Sequence, residues 1–283
     1  MKSYRNKIFL MIVFLSTSQF GTNLLDTENS LDNLDKDYNS YIKEIEEGPC
    51  NIPIVTEPIS QREFLDKYAF TSPVIFRFSE QITSKNKLFQ EKCQLENLKT
   101  YYGDKYVTVS SANTYSYKRY SMKLNDYLDQ HIIPLSKKNV RPELKYGNET
   151  WYFFGENNFT EWKSLFDLYQ KPNYWLPKHT HAYSFGIAAF YTGVPFHFHG
   201  PVFAETMVGR KRWFLYEPNQ APYFDPDKST LHWFLEEYPK LPPNKKPYEC
   251  ILGPLEVIYF PDKWMHATLN VDNVVFISTF LSP

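Results

Sequence analysis

The C-terminal half of the chain consists of short apolar or alternating runs, and this pattern restricts the fold more than any other feature of the sequence. Glycine, proline or polar residues separate each run from the next, as expected for strands joined by turns. The predicted strands are residues 185–191, 195–199, 203–208, 211–216, 249–252, 256–260 and 274–280. Many short strands favour a closed or double-sheet barrel of the jelly-roll type over alternating βαβ units.

The sequence between residues 50 and 135 predicts helices that flank this barrel. Ser60 and Glu63 have the spacing of a capping box, and apolar residues follow at helical intervals. Further helices are predicted at residues 95–102 and 124–131, and strands at 73–78 and 106–110. Residues 22–49 are polar and acidic, which indicates an N-terminal arm with one helix near residues 41–47. We expect one mainly β domain with flanking helices over residues 50–283.

Composition excludes one class of partner. The 283 residues include 31 Lys and Arg against 32 Asp and Glu, so the formal net charge is -1. A chain without a basic excess lacks the charge that holds nucleic acid by releasing counterions. We therefore expect no nucleic-acid partner.

The first residues have the pattern of a secretory signal peptide. Lys2, Arg5 and Lys7 precede the apolar run 8–15, and small or polar residues follow. The alternative is a membrane anchor, but eight apolar residues are far fewer than the ~20 that cross a bilayer. We predict a cleaved leader over residues 1–21 and no membrane span in the mature chain.

A secretory signal peptide changes the interpretation of other residues. Asn148 and Asn158 begin acceptor sequons for N-glycosylation. Cys50, Cys93 and Cys250 form either one disulfide and one free thiol or three buried thiols, and their spacing does not decide between these. Residues 280–283 differ from the retrieval tetrapeptide of the endoplasmic reticulum, so retention and secretion both stay open.

The pair His197 and His199 is the sequence feature that most clearly indicates a chemical function. His266 lies 67 residues beyond His199. Side chains two residues apart on a strand point to the same face, so both imidazoles of the pair can enter a barrel interior. We expect a turn after residue 261 to deliver His266 as a third ligand. Two ligands from one strand and a third from a distant segment resemble the facial triad of non-haem iron sites. The alternative is three buried core histidines without a metal.

Lys211 and three further residues also bear on the site. Lys211 follows a predicted hairpin, where it either pairs with the carboxylate of an organic acid or caps the turn in water. His179 and His181 repeat the HxH spacing, but we interpret them as surface or rim residues. Glu205 could supply a carboxylate ligand if its strand folded back, although a solvent-facing side chain is the commoner outcome.

These residues resemble the JmjC family of iron- and 2-oxoglutarate-dependent oxygenases. The resemblance rests on the segments 73–75, 102–104, 196–201, 209–216 and 259–270. It implies a double-stranded β-helix of the cupin or JmjC type, with His197 and His266 as iron ligands and Lys211 holding 2-oxoglutarate. It also implies a protein substrate or partner. Together with the leader, it implies the lumen of the endoplasmic reticulum.

Three positions depart from the family pattern. His199 occupies the place of the carboxylate ligand, Val194 lies where relatives have a hydroxyl residue, and the interval to Lys211 is one residue short. A neutral imidazole in place of a carboxylate weakens the preference for a hard cation. Two function hypotheses follow: a lumenal protein hydroxylase that uses iron(II) and 2-oxoglutarate, and a catalytically impaired JmjC-like protein that acts through protein contacts. No catalytic residue beyond the metal ligands is predicted.

Overall fold

The computed structural model describes residues 40, 42–133, 150–155, 157 and 159–283. The predicted signal peptide, most of the predicted arm, and both sequon residues Asn148 and Asn158 lie outside the described residues. Lys43–Pro283 forms one compact unit. Residues 43–46 are helical and Ile45 is fully buried, so residues 43–49 of the predicted arm belong to this unit.

The architecture is mainly β with flanking helices, as predicted. Within the described residues, nine strands form one sheet in the order β1-β2-β10-β7-β12-β6-β5-β3-β4, and three form a second in the order β11-β8-β9. The strands are β1 (Ile54–Val55), β2 (Val74–Phe76), β3 (Tyr106–Ser111), β4 (Arg119–Lys123), β5 (Trp151–Phe154), β6 (Thr180–Ala188), β7 (Val202–Val208), β8 (Lys211–Tyr216), β9 (Tyr248–Leu252), β10 (Val257–Phe260), β11 (Met265–Asn270) and β12 (Val274–Ser282).

Short helices flank the sheets. They are α1 (Gln61–Lys67), α2 (Glu80–Thr83), α3 (Lys87–Lys92), α4 (Leu95–Tyr102), α5 (Leu124–Tyr127), α6 (Lys163–Phe166) and α7 (Thr230–Glu236). A π-helical turn, Leu128–Ile132, continues α5. The Ser60 hydroxyl accepts a hydrogen bond from the Glu63 N–H at 3.1 Å, which confirms the predicted cap of α1. None of the helices in the described part of the chain is long and apolar enough to cross a membrane.

Strand alternation assigns residues to the two faces of the large sheet. On β7, Ala204 packs with Trp213 and Leu215 of β8, between the two sheets. Its neighbour Phe203 packs on the opposite face, against Phe64 of α1. The space between the sheets is therefore the barrel interior, and the helices cover the outer face of the large sheet.

β8 is buried along its whole length, because the barrel interior lies on one side and α7 on the other. Gly209 turns the hairpin into β8 with φ +75°, a conformation that favours glycine. On the outer face, Arg212 and Glu249 form an ion pair at 2.5 Å with almost no exposure. The Tyr238 hydroxyl donates to the same carboxylate at 2.6 Å, which offsets part of its burial cost.

A disulfide joins Cys50 to Cys250 on β9, and Cys93 is a buried free thiol. The structure thus decides between the two alternatives that the cysteine spacing left open. The bridge fastens the segment before β1 to the smaller sheet across 200 residues of sequence.

The structure corrects several local predictions. Residues 195–199 form no continuous strand; His197 alone makes an isolated antiparallel bridge to His266. The predicted turn after residue 261 is present at residues 262–263, but His266 lies beyond it on β11, a strand that was not predicted. β5 was not predicted from the sequence, and its Tyr152 and Phe153 are buried. β6 begins at Thr180 instead of at residue 185, so His181 lies on this strand.

Candidate metal centre

Three imidazoles lie together inside the barrel. Among the described residues, His197, His199 and His266 offer ring nitrogens that all lie within 4.8 Å of one another. The ring centroid of His266 is 4.2 Å from that of His197 and 4.6 Å from that of His199. The convergence predicted from the spacing is therefore present in the structure.

The backbone explains how distant residues meet. His197 donates its N–H to the carbonyl of His266 at 3.0 Å, and the His266 N–H returns the bond at 2.9 Å. The segment that carries His197 thus lies beside β11 as an added, irregular edge. Phe198 points to solvent with 62% of its surface exposed, while the two flanking histidines point inward. The alternation predicted from the HxH spacing holds although the regular strand does not.

Backbone carbonyls fix the tautomer of each ring. The Nδ1 atoms of His197, His199 and His266 lie 2.8, 2.7 and 2.8 Å from the carbonyl oxygens of residues 195, 200 and 264. A carbonyl can only accept a hydrogen bond, so each Nδ1 carries the proton. The Nε2 atom of each neutral ring is then left with a free lone pair. This arrangement is typical of metal-binding histidines, whose second nitrogen donates to a carbonyl or carboxylate.

Burial keeps the three rings neutral. Desolvation, reinforced by the neighbouring His199, lowers the pKa of His197 to about 4. Burial also lowers the pKa of His199, and it lowers that of His266 well below its ordinary value. Neutral imidazole is the form that binds a metal, so burial already favours the ligand state.

Lys211 lies at the inner end of the same cavity and is 2% exposed. Its ammonium donates to the Tyr152 hydroxyl at 2.7 Å and to the Asn270 side-chain oxygen at 2.9 Å. Burial lowers the pKa of Lys211 to about 7. None of the residues that line the cavity carries a carboxylate. The interpretation of Lys211 as a cap in water is therefore wrong, and its pairing with the carboxylate of an organic acid stays a prediction.

The cavity itself is small and largely apolar. Its volume is about 30 Å³, which is room for about one water molecule. Aromatic rings form much of its wall, and the Phe276 ring centroid lies 4.2 Å from the Lys211 ammonium. The contact between this ring and the ammonium is a cation–π interaction. 2-Oxoglutarate therefore fits only after side chains move.

Other predicted residues lie elsewhere. His181 is exposed and its Nδ1 is 3.0 Å from the Lys171 ammonium, which agrees with the surface interpretation. Glu205 is 5% exposed, so the expectation that it faces solvent is wrong. It lies on the outer face of β7, where residues from the N-terminal half cover it, and it contributes no ligand to the histidine cluster. Val194 does line the cavity.

Sequence reasoning missed three residues of the site. Tyr152 and Asn270 hold the Lys211 ammonium, and Phe276 covers it. Asn270 pairs directly with Lys211 between β11 and β8. A correct prediction of β5 and β11 from the sequence would have pointed to Tyr152 and Asn270 as residues of the site.

The donor set fits a divalent transition metal. Three neutral nitrogen donors suit iron(II) or zinc, and they leave other coordination positions open. Two nitrogens that bind one ion at about 2.1 Å in a facial or tetrahedral set lie about 3.0–3.4 Å apart, so the three rings must move closer together to hold a metal.

Comparison with known proteins identifies several relatives of this chain. No family model matches the chain. JmjC domain-containing protein 8 is 48% identical in Rattus norvegicus, over 79% of both chains, and 46% identical in Homo sapiens, over 83% of this chain and 85% of that one. A protein of Gallus gallus described as 2-oxoglutarate and iron-dependent oxygenase JMJD4 is 26% identical over 29% of this chain and 22% of that protein. The solved structure of E. coli ycfD covers 80% of this chain and 53% of its own at 16% identity and a TM-score of 0.46.

Proposed function

Because the chain belongs to the family of JmjC domain-containing protein 8, we propose that it is an iron(II)- and 2-oxoglutarate-dependent oxygenase that hydroxylates a protein side chain in the lumen of the endoplasmic reticulum. One observation carries the proposal. Three imidazoles with free Nε2 atoms surround a cavity that also holds a buried lysine ammonium. A metal and an anionic co-substrate are the two groups that such a cavity recognises.

His197, His199 and His266 would hold the iron. When bound, iron(II) supplies the oxidation chemistry that no protein side chain can perform. The role of the chain is to hold three neutral donors in place through the Nδ1 bonds to backbone carbonyls. Aromatic rings surround these donors. The partial match to a protein named for 2-oxoglutarate and iron supports the same reaction class.

Lys211 would bind a carboxylate of 2-oxoglutarate, with the Tyr152 hydroxyl as a second donor. Thr268 and Ser278 also line the cavity and offer hydroxyls. The Phe276 ring must leave the Lys211 ammonium before a carboxylate can take its place. Co-substrate binding is therefore coupled to a side-chain movement.

A second function has support of its own. The absence of a carboxylate among the cavity residues, together with the small volume, favours a protein that has kept the barrel and acts through protein contacts. A direct test distinguishes the two functions, because a protein that acts only through protein contacts needs neither bound iron nor 2-oxoglutarate.

The lumenal location rests on separate support. Cys50 and Cys250 are bonded, and stable disulfides belong mainly to oxidising compartments such as this lumen. The predicted leader and the sequons at Asn148 and Asn158 agree with it. We expect the expressed protein to be protected from protease in intact microsomes and to lose mass when its N-glycans are removed enzymatically. A protease-sensitive, unglycosylated product would contradict this location.

The decisive experiment is anaerobic loading of the full chain with iron(II), followed by metal analysis and a 2-oxoglutarate consumption assay. We expect the wild type to retain about one iron, and His197→Ala and His266→Ala to lose it. The exposed His181→Ala is the matched control and should bind like the wild type. Lys211→Met should keep iron but require more 2-oxoglutarate. Wild-type protein that retains no iron and consumes no 2-oxoglutarate would eliminate the oxygenase.

A further inference from the structure

Glu205 is a buried acid with no basic partner. Its carboxylate accepts hydrogen bonds from the Asn86 amide at 3.2 Å and from the Tyr169 hydroxyl at 3.1 Å. Within the described residues, no Lys, Arg or His nitrogen lies within ion-pair distance of it. A carboxylate held by two neutral donors keeps further lone pairs available. Burial of such a group costs free energy unless a cation offsets it.

This acid lines a second cavity, on the outer face of the large sheet and away from the histidines. The cavity has a volume of about 100 Å³, which corresponds to about three water molecules. Exposed Pro58 and Asn173 also line it, so the cavity connects Glu205 with solvent. Its size suits a ligand of only a few heavy atoms or the end of one side chain.

The other walls are aromatic and aliphatic. Phe76 and Tyr174 stack with ring centroids 4.7 Å apart, and Phe78 lies 5.7 Å from Phe76. Aromatic faces attract cations electrostatically and shed water at little cost. An anion at the inner end and rings along the sides form a site that is complementary to a small organic cation.

Lys85 is the one cation among the residues lining this cavity, and it is not paired with Glu205. Its ammonium instead donates to the carbonyl of Lys171 at 3.1 Å. Burial lowers the pKa of Lys85, and Glu205 partly opposes that shift. Lys85 is thus a weak internal competitor for the acid.

From this geometry we propose that the Glu205 cavity is a binding site for a small primary ammonium group, either a free amine or the end of a lysine side chain. The ammonium would donate to Glu205 and lie against Phe76 and Tyr174. The proposal is independent of the metal centre, because no residue is shared between the two cavities. Its failure would leave the oxygenase untouched, and the reverse is also true.

The test is a titration of the full chain with n-propylammonium at pH 8, followed by NMR or calorimetry. Its neutral analogue n-propanol and the anion propionate serve as comparison probes. Nα-acetyl-lysinamide is titrated in parallel as a model of a lysine side chain. If both cations bind, the site accepts the end of a lysine side chain. If only n-propylammonium binds, the site accepts free amines alone. We expect propionate not to bind and n-propanol to bind more weakly than the amine.

Three variants make the result specific. Glu205→Gln keeps the shape of the side chain and should weaken ammonium binding roughly tenfold or more, the range of a charge-assisted hydrogen bond. Lys85→Gln removes the competing charge and should strengthen binding. Glu57→Gln is the matched control, since Glu57 is exposed and next in sequence to the cavity residue Pro58. Ile82→Trp, at the partly exposed side of the cavity, should block binding by filling it.

Two results would overturn the proposal. One is an ammonium affinity that is equal in the wild type and in folded Glu205→Gln. The other is equal binding of n-propylammonium and n-propanol, which would show an apolar cavity without recognition of charge. Should Glu205→Gln fail to fold, the Lys85→Gln and Ile82→Trp variants still decide, because both changes lie at partly exposed positions.

Discussion

Glu205→Gln should remove a pH-dependent loss of stability from this protein. Burial, only partly offset by Asn86, Lys85 and Tyr169, raises the pKa of Glu205 from 4.5 to about 7. The folded state therefore holds this proton more tightly than the unfolded chain does. The resulting stabilisation is complete below pH 4.5 and is lost as the pH rises through about 7. Glutamine cannot ionise, so the variant should lack this dependence.

The magnitude follows from the same numbers. Each tenfold change in proton affinity is worth about 1.4 kcal/mol, so the ionised carboxylate is about 3 kcal/mol less favourable in the folded state than in the unfolded chain. Between pH 5 and pH 8 the free energy of unfolding of the wild type should fall by about 2.5 kcal/mol relative to Glu205→Gln. If the free energy of unfolding falls by about 3 kcal/mol per molar urea, the difference between the unfolding midpoints of the wild type and Glu205→Gln should change by about 0.8 M between pH 5 and pH 8.

The assay is urea unfolding of the wild type and the variant at pH 5, 6, 7 and 8, without added amine. Cys93 and Tyr169 also face Glu205, but burial and the Glu205 charge raise the pKa of both groups above this range. Lys85 also acts on Glu205, and its charge is already among the factors that set the pKa of that acid. Parallel curves for the two proteins over the whole range would refute the reasoning. Glu57→Gln, at an exposed position, should follow the wild type.

Three further predictions concern other parts of the molecule. Phe276→Leu should tighten 2-oxoglutarate binding severalfold in a titration, because it removes the ring over Lys211, whereas Phe154→Leu at the cavity wall should not. Cys50→Ser should lower the free energy of unfolding by about 2–4 kcal/mol in chemical denaturation, because a long loop is no longer closed; equal stability under oxidising conditions would contradict this. Ser60→Ala should cost about 1 kcal/mol by the same assay, since the cap of α1 loses its acceptor.

The strand pattern predicted most of the barrel, and the exceptions have a physical cause. β8 begins and ends at the predicted residues, and all six of its residues are buried. β11 was missed because His266, Thr268 and Asn270 occupy its inward positions. A strand that presents polar groups to its interior loses the hydrophobic alternation by which strands are found. The polar residues that form the site are therefore the reason why the strand that carries them was not predicted.

Glu205 illustrates a limit of a different kind. Its strand was predicted correctly, and alternation places it on the outer face. Whether that face meets water depends on segments far away in sequence. Asn86, which covers the acid, lies 119 residues earlier. Nothing in the local sequence of β7 contains that information, so a buried acid and an exposed one give the same pattern.

The replacement of a carboxylate ligand by His199 has a consequence for the order of binding. A cavity lined by three neutral imidazoles and the Lys211 ammonium, with no carboxylate, gains a large positive charge when a divalent ion enters. Like charges in a site of low dielectric oppose each other strongly. An anionic co-substrate removes this penalty, so each ligand should favour the other.

Iron(II) and 2-oxoglutarate should therefore bind cooperatively, and each should raise the affinity for the other by the same factor, of the order of 5- to 150-fold. His199→Asp adds the missing negative charge, so it should tighten iron(II) binding without 2-oxoglutarate and reduce the coupling. Anaerobic iron(II) titrations with and without 2-oxoglutarate, on the wild type and His199→Asp, measure both effects. An iron(II) affinity of the wild type that does not change with 2-oxoglutarate would mean that the Lys211 charge is not felt at the metal, and the electrostatic account of this site would fail.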